Sequence, residues 1–76
     1  MACRIGITTD LAARKAYWQS QHPTMKDWQI LAGPTTRAVA QATETQLAAQ
    51  NGCKASTGGN EPDNGSSQWY VYGFNY

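Results

Sequence analysis

Apolar and polar residues alternate over residues 2–7, and this pattern predicts a short β-strand. Successive side chains of a strand point to opposite faces of a sheet, so alternation is typical of a strand with one buried face. Residues 27–32 predict a second strand, and the aromatic residues 68–75 predict a third. Gly6 lies inside the first strand and indicates the close approach of another backbone or of a ligand.

Residues 11–21 predict a first helix, because apolar side chains recur along one helical face. Thr9 or Asp10 is a suitable N-cap, since a side-chain oxygen at that position accepts a free amide hydrogen of the first turn. Pro23 biases the residue before it towards extended backbone, and it therefore marks the end of the helix.

A second helix is predicted over residues 37–51, which are rich in the good helix formers alanine, glutamine and leucine. Thr35 or Thr36 precedes this stretch and is a suitable N-cap. Gly52 follows it and stands where a left-handed C-terminal stop belongs. Start and stop signals therefore agree with the composition of the stretch between them.

Residues 54–67 consist mainly of Gly, Ser, Asn and other polar residues, and they predict a long loop. The predicted order of elements is strand, helix, strand, helix, strand. We expect a single domain over residues 1–76, with a small α/β (α+β) fold. In this fold two helices flank a three-stranded, mostly antiparallel sheet.

The composition favours a folded domain, because 41% of the residues are apolar and the chain has three Trp, four Tyr and one Phe. The formal net charge of +1 lacks the basic excess that is typical of a dedicated nucleic-acid-binding protein. No stretch approaches membrane-spanning length, and no secretory signal is visible. We therefore expect a cytoplasmic protein without membrane contact, in which Cys3 and Cys53 are reduced by default, although the two could form one bridge.

Two stretches together resemble the opening of a GIY-YIG nuclease domain. Residues 5–14, Ile-Gly-Ile-Thr-Thr-Asp-Leu-Ala-Ala-Arg, look like the second strand and first helix of that family, and residues 69–72, Trp-Tyr-Val-Tyr, look like its first strand. The family has the order strand, strand, helix, strand, helix. This chain therefore resembles a circular permutant whose first strand has moved to the C-terminus, which implies that Met1 and Tyr76 lie close together on neighbouring strands.

The resemblance implies a metal-dependent phosphodiesterase that acts on DNA or RNA. It assigns Tyr72, with Tyr70 as the alternative, to activating or orienting the attacking water, and Arg14 to the scissile phosphate. Glu44 would hold a single Mg²⁺ or Mn²⁺ ion, and Arg4 would add a phosphate contact. A cation and a guanidinium suit this chemistry, because they stabilise the negative charge that builds on the phosphoryl oxygens.

Two departures from the family favour a second hypothesis, a catalytically inactive module that binds nucleic acid or protein. Arg4 occupies the place of a motif tyrosine, which Tyr76 would have to replace, and Trp18 occupies the place of a frequent histidine. Convergence of Arg14, Glu44 and a tyrosine hydroxyl on one concave face would favour the enzyme. A Glu44 that points away from Arg14 would favour the binding module.

Each candidate also has an ordinary structural explanation. Arg14 would be a solvated helix arginine, and Glu44 a surface glutamate on an alanine-rich helix. Tyr70 and Tyr72 would pack against neighbouring strands. The three tryptophans would be core or core-edge residues or, as the alternative, a surface on which single-stranded bases stack. The sequence leaves the oligomeric state open.

Overall fold

The structure is a computed structural model, and it describes residues 2–56 and 68–76. In these residues two helices and a four-stranded mixed sheet form an α+β fold, so the predicted class is confirmed. No helix within the described ranges is long and apolar enough to cross a membrane. The elements are β1 (Cys3–Thr8), α1 (Leu11–Gln21), β2 (Lys26–Thr35), α2 (Arg37–Asn51), β3 (Lys54–Ser56) and β4 (Trp69–Asn75).

Both helices begin and end at the predicted residues, because local hydrogen bonds close their ends. Asp10 is the N-cap of α1, and its carboxylate accepts a hydrogen bond from the backbone N–H of Ala13 at 3.0 Å. Thr36 caps α2 in the same way, with its hydroxyl accepting from the N–H of Val39 at 3.4 Å. Gly52 ends α2 in the left-handed region with a φ of 65°, which glycine adopts without a steric penalty.

Within residues 2–56 and 68–76 the sheet has four strands in the order β2-β4-β1-β3, and the prediction of three strands was therefore wrong. The strand β4 lies at the centre and pairs antiparallel with both β1 and β2. The additional strand is β3, which pairs parallel to β1 with Lys54 opposite Arg4. A segment of three residues is too short to show a hydrophobic pattern in the sequence. This strand forms because its backbone makes hydrogen bonds with β1. The rest of the predicted loop, residues 57–67, lies outside the described residues.

The pairing register divides the side chains of β1 and β4 between two faces of the sheet. Ile7 lies opposite Val71, and these side chains point towards α2. Gly6 lies opposite Tyr72 on the other side, where the hydroxyl of Tyr72 contacts α1. Directly opposed residues share a face, and alternate residues along a strand change face. We call these two sides the α2 face and the α1 face.

The aliphatic core lies on the α2 face, between the sheet and α2. The buried stripe of α2 follows helical spacing, with Ala40, Glu44 and Ala48 one turn apart. This stripe lies against the inward-facing residues of β1 and β4, where both aliphatic and aromatic side chains are fully buried. The core consists of Ile5, Ile7, Ala40, Trp69 and Val71, with the partly buried Ala32, Leu47 and Cys53 packed against it.

A disulfide joins Cys3 to Cys53, and the expectation of a reduced pair was therefore wrong. The bond links the start of β1 to the residue between α2 and β3, across 50 positions of sequence. Cysteine spacing alone does not reveal such a pair, because the two residues become neighbours only when β3 pairs with β1. The bond thus fastens the end of α2 to the sheet.

The two ends of the described chain are neighbours in the sheet. The N–H of Tyr76 donates to the carbonyl of Ala2 at 2.9 Å, and the N–H of Ala2 donates to the carbonyl of Tyr76 at 3.2 Å. Met1 lies outside the described residues, so the closeness of Met1 and Tyr76 stays a prediction, with which the pairing of Ala2 and Tyr76 is compatible. This arrangement is the one that a permuted strand order requires.

Candidate functional site

Six aromatic rings form a continuous layer on the α1 face of the sheet. Tyr72 and Phe74 project from this face because they alternate along β4, and Tyr76 continues the alternation at the chain end. Trp18 and His22 lie one turn apart on α1 and reach the sheet from above. We call this set the aromatic layer; it consists of Trp18, His22, Trp28, Tyr72, Phe74 and Tyr76.

The rings of the aromatic layer pack both in stacked and in tilted pairs. Trp28 lies with its ring centroid 4.8 Å from that of Tyr72, at an interplanar angle of 18°. His22 stacks on Tyr76 at 4.1 Å, and Trp18 meets Phe74 at 5.5 Å in a tilted arrangement. Each such pair stabilises the folded protein by about 0.5–1.5 kcal/mol, in addition to the contribution of the apolar area that it buries. The layer is thus a second packed cluster, separate from the aliphatic core.

The outer rings of this layer are half-buried, whereas the inner rings are buried. Tyr72 is 1% exposed and Phe74 is 3% exposed, but the other four members keep part of their surface in solvent. Tyr17, next to Trp18 on α1, is 46% exposed. All of α1 is described, and it contains no buried residue. The helix therefore docks through its half-buried aromatic side chains and leaves ring edges accessible.

The hydroxyl of Tyr72 is directed towards α1. It accepts a hydrogen bond of 2.8 Å from the indole Nε1–H of Trp18. Gly6 lies opposite Tyr72 in the sheet and has no side chain, which leaves this part of the α1 face to the phenol ring. The tryptophan that replaces the family's frequent histidine thus contacts the tyrosine that the resemblance assigned to the attacking water.

Two arginines border the aromatic layer. The Arg4 guanidinium lies over the ring of Trp18, with its carbon Cζ 4.9 Å from the ring centroid. The Arg14 guanidinium lies over the ring of Tyr17 at 5.2 Å. Both distances are within the range of a cation–π interaction. The structure therefore brings Arg4, Trp18 and Tyr72 together, and it places Arg14 one helical turn before Trp18.

Tyr70 lies on the same face as Tyr72 but two residues further from the chain end. It is opposite Thr8 in the sheet and is half-buried. Gly33 passes so close that a Cβ atom there would stand 2.8 Å from the Cα of Tyr70. Tyr70 thus lies beside Gly33 of β2 and the end of β1. Tyr72 is the tyrosine that contacts Trp18, over which the Arg4 guanidinium lies.

Glu44 lies on the α2 face and is fully buried, with an exposed fraction of 0%. It stands one turn from Ala40 and one turn from Ala48, both of which are buried against the sheet. The sheet therefore separates Glu44 from Arg4 and Tyr72. The ordinary alternative for Glu44, a surface glutamate, is wrong, because Glu44 is fully buried.

The surroundings of Glu44 do not fit a hydrated Mg²⁺ or Mn²⁺ ion. Such an ion keeps several waters and binds one or two carboxylates together with substrate phosphate, which requires an open site. Glu44 is closed from solvent. Among the described residues no group of three or more His, Cys, Asp or Glu side chains converges. Glu44 is therefore not placed to hold a hydrated divalent ion against a phosphate on the α1 face.

The sequence pattern indicated part of the aromatic layer. The sequence predicts the tryptophans at the core or its edge, with base stacking as the alternative, and it offers Tyr76 as a substitute for the missing motif tyrosine, but it assigns neither His22 nor Phe74 to a site. The signal for them was available, because residues 72, 74 and 76 alternate and residues 18 and 22 are one helical turn apart. His22 was interpreted as a helix-end residue, and it is the C-cap of α1.

Comparison of the chain with protein-family models, with curated proteins and with solved structures found no match. The GIY-YIG resemblance thus rests on residues 5–14 and 69–72 and stays a prediction.

Proposed function

We propose that this domain binds single-stranded nucleic acid on the aromatic layer, as a module without catalytic activity. The observation that carries the proposal is the row of half-buried rings on the α1 face, bordered by the Arg4 and Arg14 guanidinium groups. Proteins that bind single strands combine aromatic platforms for the bases with cations that follow the phosphates. The α1 face carries both kinds of group side by side.

The accessible rings supply the stacking part of the interaction. Trp28 and Tyr76 lie at the margins of the layer, where Trp28 stacks on the buried Tyr72 and Tyr76 stacks on the half-buried His22. A ring held in place loses little conformational entropy when a base stacks on it. Stacking contributes about 1–3 kcal/mol per base and tolerates every base, because each base has a π face.

The positive charge is local, which is compatible with a formal net charge of only +1. Arg4 and Arg14 approach the aromatic rings, whereas the buried carboxylate of Glu44 lies on the opposite face. With two phosphate contacts, the logarithm of the affinity should fall with the logarithm of salt concentration at a slope of about −1.4. Affinity would then depend mainly on stacking and only moderately on salt.

Titration of tryptophan fluorescence with twelve-nucleotide oligo(dT) and oligo(U) tests the proposal. We expect quenching that saturates, and Trp28→Leu should weaken binding at least fivefold, the equivalent of about 1 kcal/mol. Arg4→Gln should reduce the salt slope by about 0.7. Val39→Ala and Arg37→Gln, both on α2, are the matched apolar and charged controls and should leave affinity unchanged.

A well-folded wild-type protein that binds neither oligonucleotide would contradict the proposal. So would equal losses in Trp28→Leu and in the two control variants, because binding would then not use the α1 face. In either case, a protein-binding role for the same face would become the working hypothesis.

A phosphodiesterase that hydrolyses DNA or RNA is the second candidate, and two observations favour it. Arg4 and Tyr72 both contact Trp18 on the α1 face, and Ala2 pairs with Tyr76 as a permuted GIY-YIG order requires. Here the Tyr72 hydroxyl would orient the attacking water, while Arg4 and Arg14 would bind the phosphate. Cleavage of plasmid DNA or of a structured RNA with Mg²⁺ or Mn²⁺ that Tyr72→Phe and Arg14→Gln abolish would support it.

We still predict that the protein is located in the cytoplasm, and the oxidation state of Cys3 and Cys53 in the cell tests this prediction. Disulfides persist in oxidising compartments and are rare in the cytosol, and the structure joins Cys3 to Cys53. Alkylation of free thiols before cell lysis, followed by peptide mapping, distinguishes the two states. Thiols that are free in the cell would mean that the bond forms only after release from a reducing compartment, which would support the cytoplasm, whereas a bond already present in the cell would contradict it.

A further inference from the structure

A pocket of about 340 Å³ opens on the α2 face, beside the point where α2 ends. The strands β2, β4 and β1 form its floor, and the Cys3–Cys53 disulfide forms one wall. This volume lies at the lower end of the range for small-molecule sites. The side chains that characterise it are Asp27, Gln29, Leu31, Asn51 and Asn75.

The pocket exists because β4 has a glycine where its neighbours carry side chains. Gly73 lies opposite Ile5 in β1 and opposite Gln29 in β2, at the centre of the floor. A Cβ atom at this position would approach Leu31 Cδ1 to 3.0 Å and Ile5 Cγ1 to 3.6 Å. The next inward-facing residue, Val71, is fully buried in the core. Any larger residue at position 73 would thus occupy this space.

The polar groups of the pocket include a carboxylate in a fixed position. Asp27 has a φ of 58°, in the left-handed region that few residues other than glycine adopt. Its Oδ2 atom accepts a hydrogen bond of 2.8 Å from the side-chain amide of Asn75. Strained backbone of this kind is concentrated at functional sites. The amides of Gln29 and Asn51 add further hydrogen-bonding groups at the rim.

The electrostatic character of the pocket is negative. Arg4 also borders it, but the Arg4 guanidinium lies over the ring of Trp18 on the other side of the sheet. Among the described residues that line the pocket, Asp27 therefore provides the charge that faces it. Leu31, which is 39% exposed, provides an apolar wall next to this charge.

We propose that this pocket binds a small organic cation, a protonated amine with a compact aliphatic body. The ammonium group donates to the Asp27 carboxylate and to the side-chain oxygens of Gln29 or Asn51. The aliphatic body lies over Gly73 and contacts Leu31 and the disulfide. The site is on the opposite face from the aromatic layer, so this inference is independent of the proposed nucleic-acid binding.

Titration of ¹⁵N-labelled protein with cyclohexylamine at neutral pH, followed by amide chemical shifts, tests the proposal. Cyclohexanol and cyclohexanecarboxylate serve as neutral and anionic probes of the same shape. We expect saturable shifts at Gln29, Asn51 and Gly73, and binding of the amine at least tenfold tighter than binding of the alcohol. Asp27→Asn should lower the affinity for the amine to that for the alcohol.

Filling the pocket provides a second test with a matched control. Leu31→Trp should abolish the shifts, whereas Ile30→Trp should not, because Ile30 lies opposite Tyr72 on the α1 face and is 57% exposed. Equal affinity for the three probes, or preference for the carboxylate, would overturn the proposal. Absence of saturable shifts in wild-type protein would overturn it too, whatever the variants do.

Discussion

The two faces of the sheet are covered by different kinds of side chain, and the helices on them are buried to different extents. On the α2 face, aliphatic side chains and Trp69 meet a helix with three buried residues, and a disulfide fastens the end of that helix. On the α1 face, stacked rings meet a helix that contains no buried residue, although the structure describes all of it. The comparison indicates that stability comes mainly from the first face, whereas the outer rings of the second keep part of their surface in solvent.

Removal of the disulfide should have the largest effect, and it acts on the α2 face. A bond that closes a loop of about 50 residues restricts the unfolded chain and stabilises by about 4 kcal/mol. We expect the variant C3S/C53S to lose about this free energy of unfolding in a denaturant titration. Two free thiols in the denatured wild-type protein, or a loss below about 1 kcal/mol, would show that the bond does not hold this face.

A cavity in the aliphatic core should cost slightly less. Ile7→Ala removes a side chain that is 1% exposed, and we expect a loss of about 3 kcal/mol in the free energy of unfolding. Ile30→Ala is the matched control, because Ile30 is 57% exposed and should cost less than about 0.5 kcal/mol. Similar losses in both variants would refute the assignment of the core to the α2 face.

Loss of one hydrogen bond on the α1 face should have the smallest effect. Tyr72→Phe keeps the ring but removes the acceptor for the Trp18 indole N–H, which should cost about 1 kcal/mol. Tyr70→Phe is the control on the same strand and should cost less. A double-mutant cycle with Trp18→Phe isolates the pairwise term. A coupling energy near zero would mean that this bond does not connect α1 to the sheet.

The sequence predicts much of the fold, but it predicts only part of the candidate site. Both helices and three of the strands were predicted, and Asp10 and Thr36 were each one of two expected caps. For the site, Arg4 and Tyr72 do share a face, whereas Glu44 lies behind the sheet. The resemblance selects Glu44 as the acidic residue of the second helix, but a place on a helix does not say which side of the sheet that helix covers.

The sequence by itself determined the local elements, because their signals act over a few residues. An N-cap oxygen bonds an amide three residues away, and Gly52 ends α2 through its own backbone conformation. Only the tertiary structure decided β3, the Cys3–Cys53 pair and the aromatic layer. Each of these requires residues that are far apart in the chain to become neighbours, and strand register determines which ones do so.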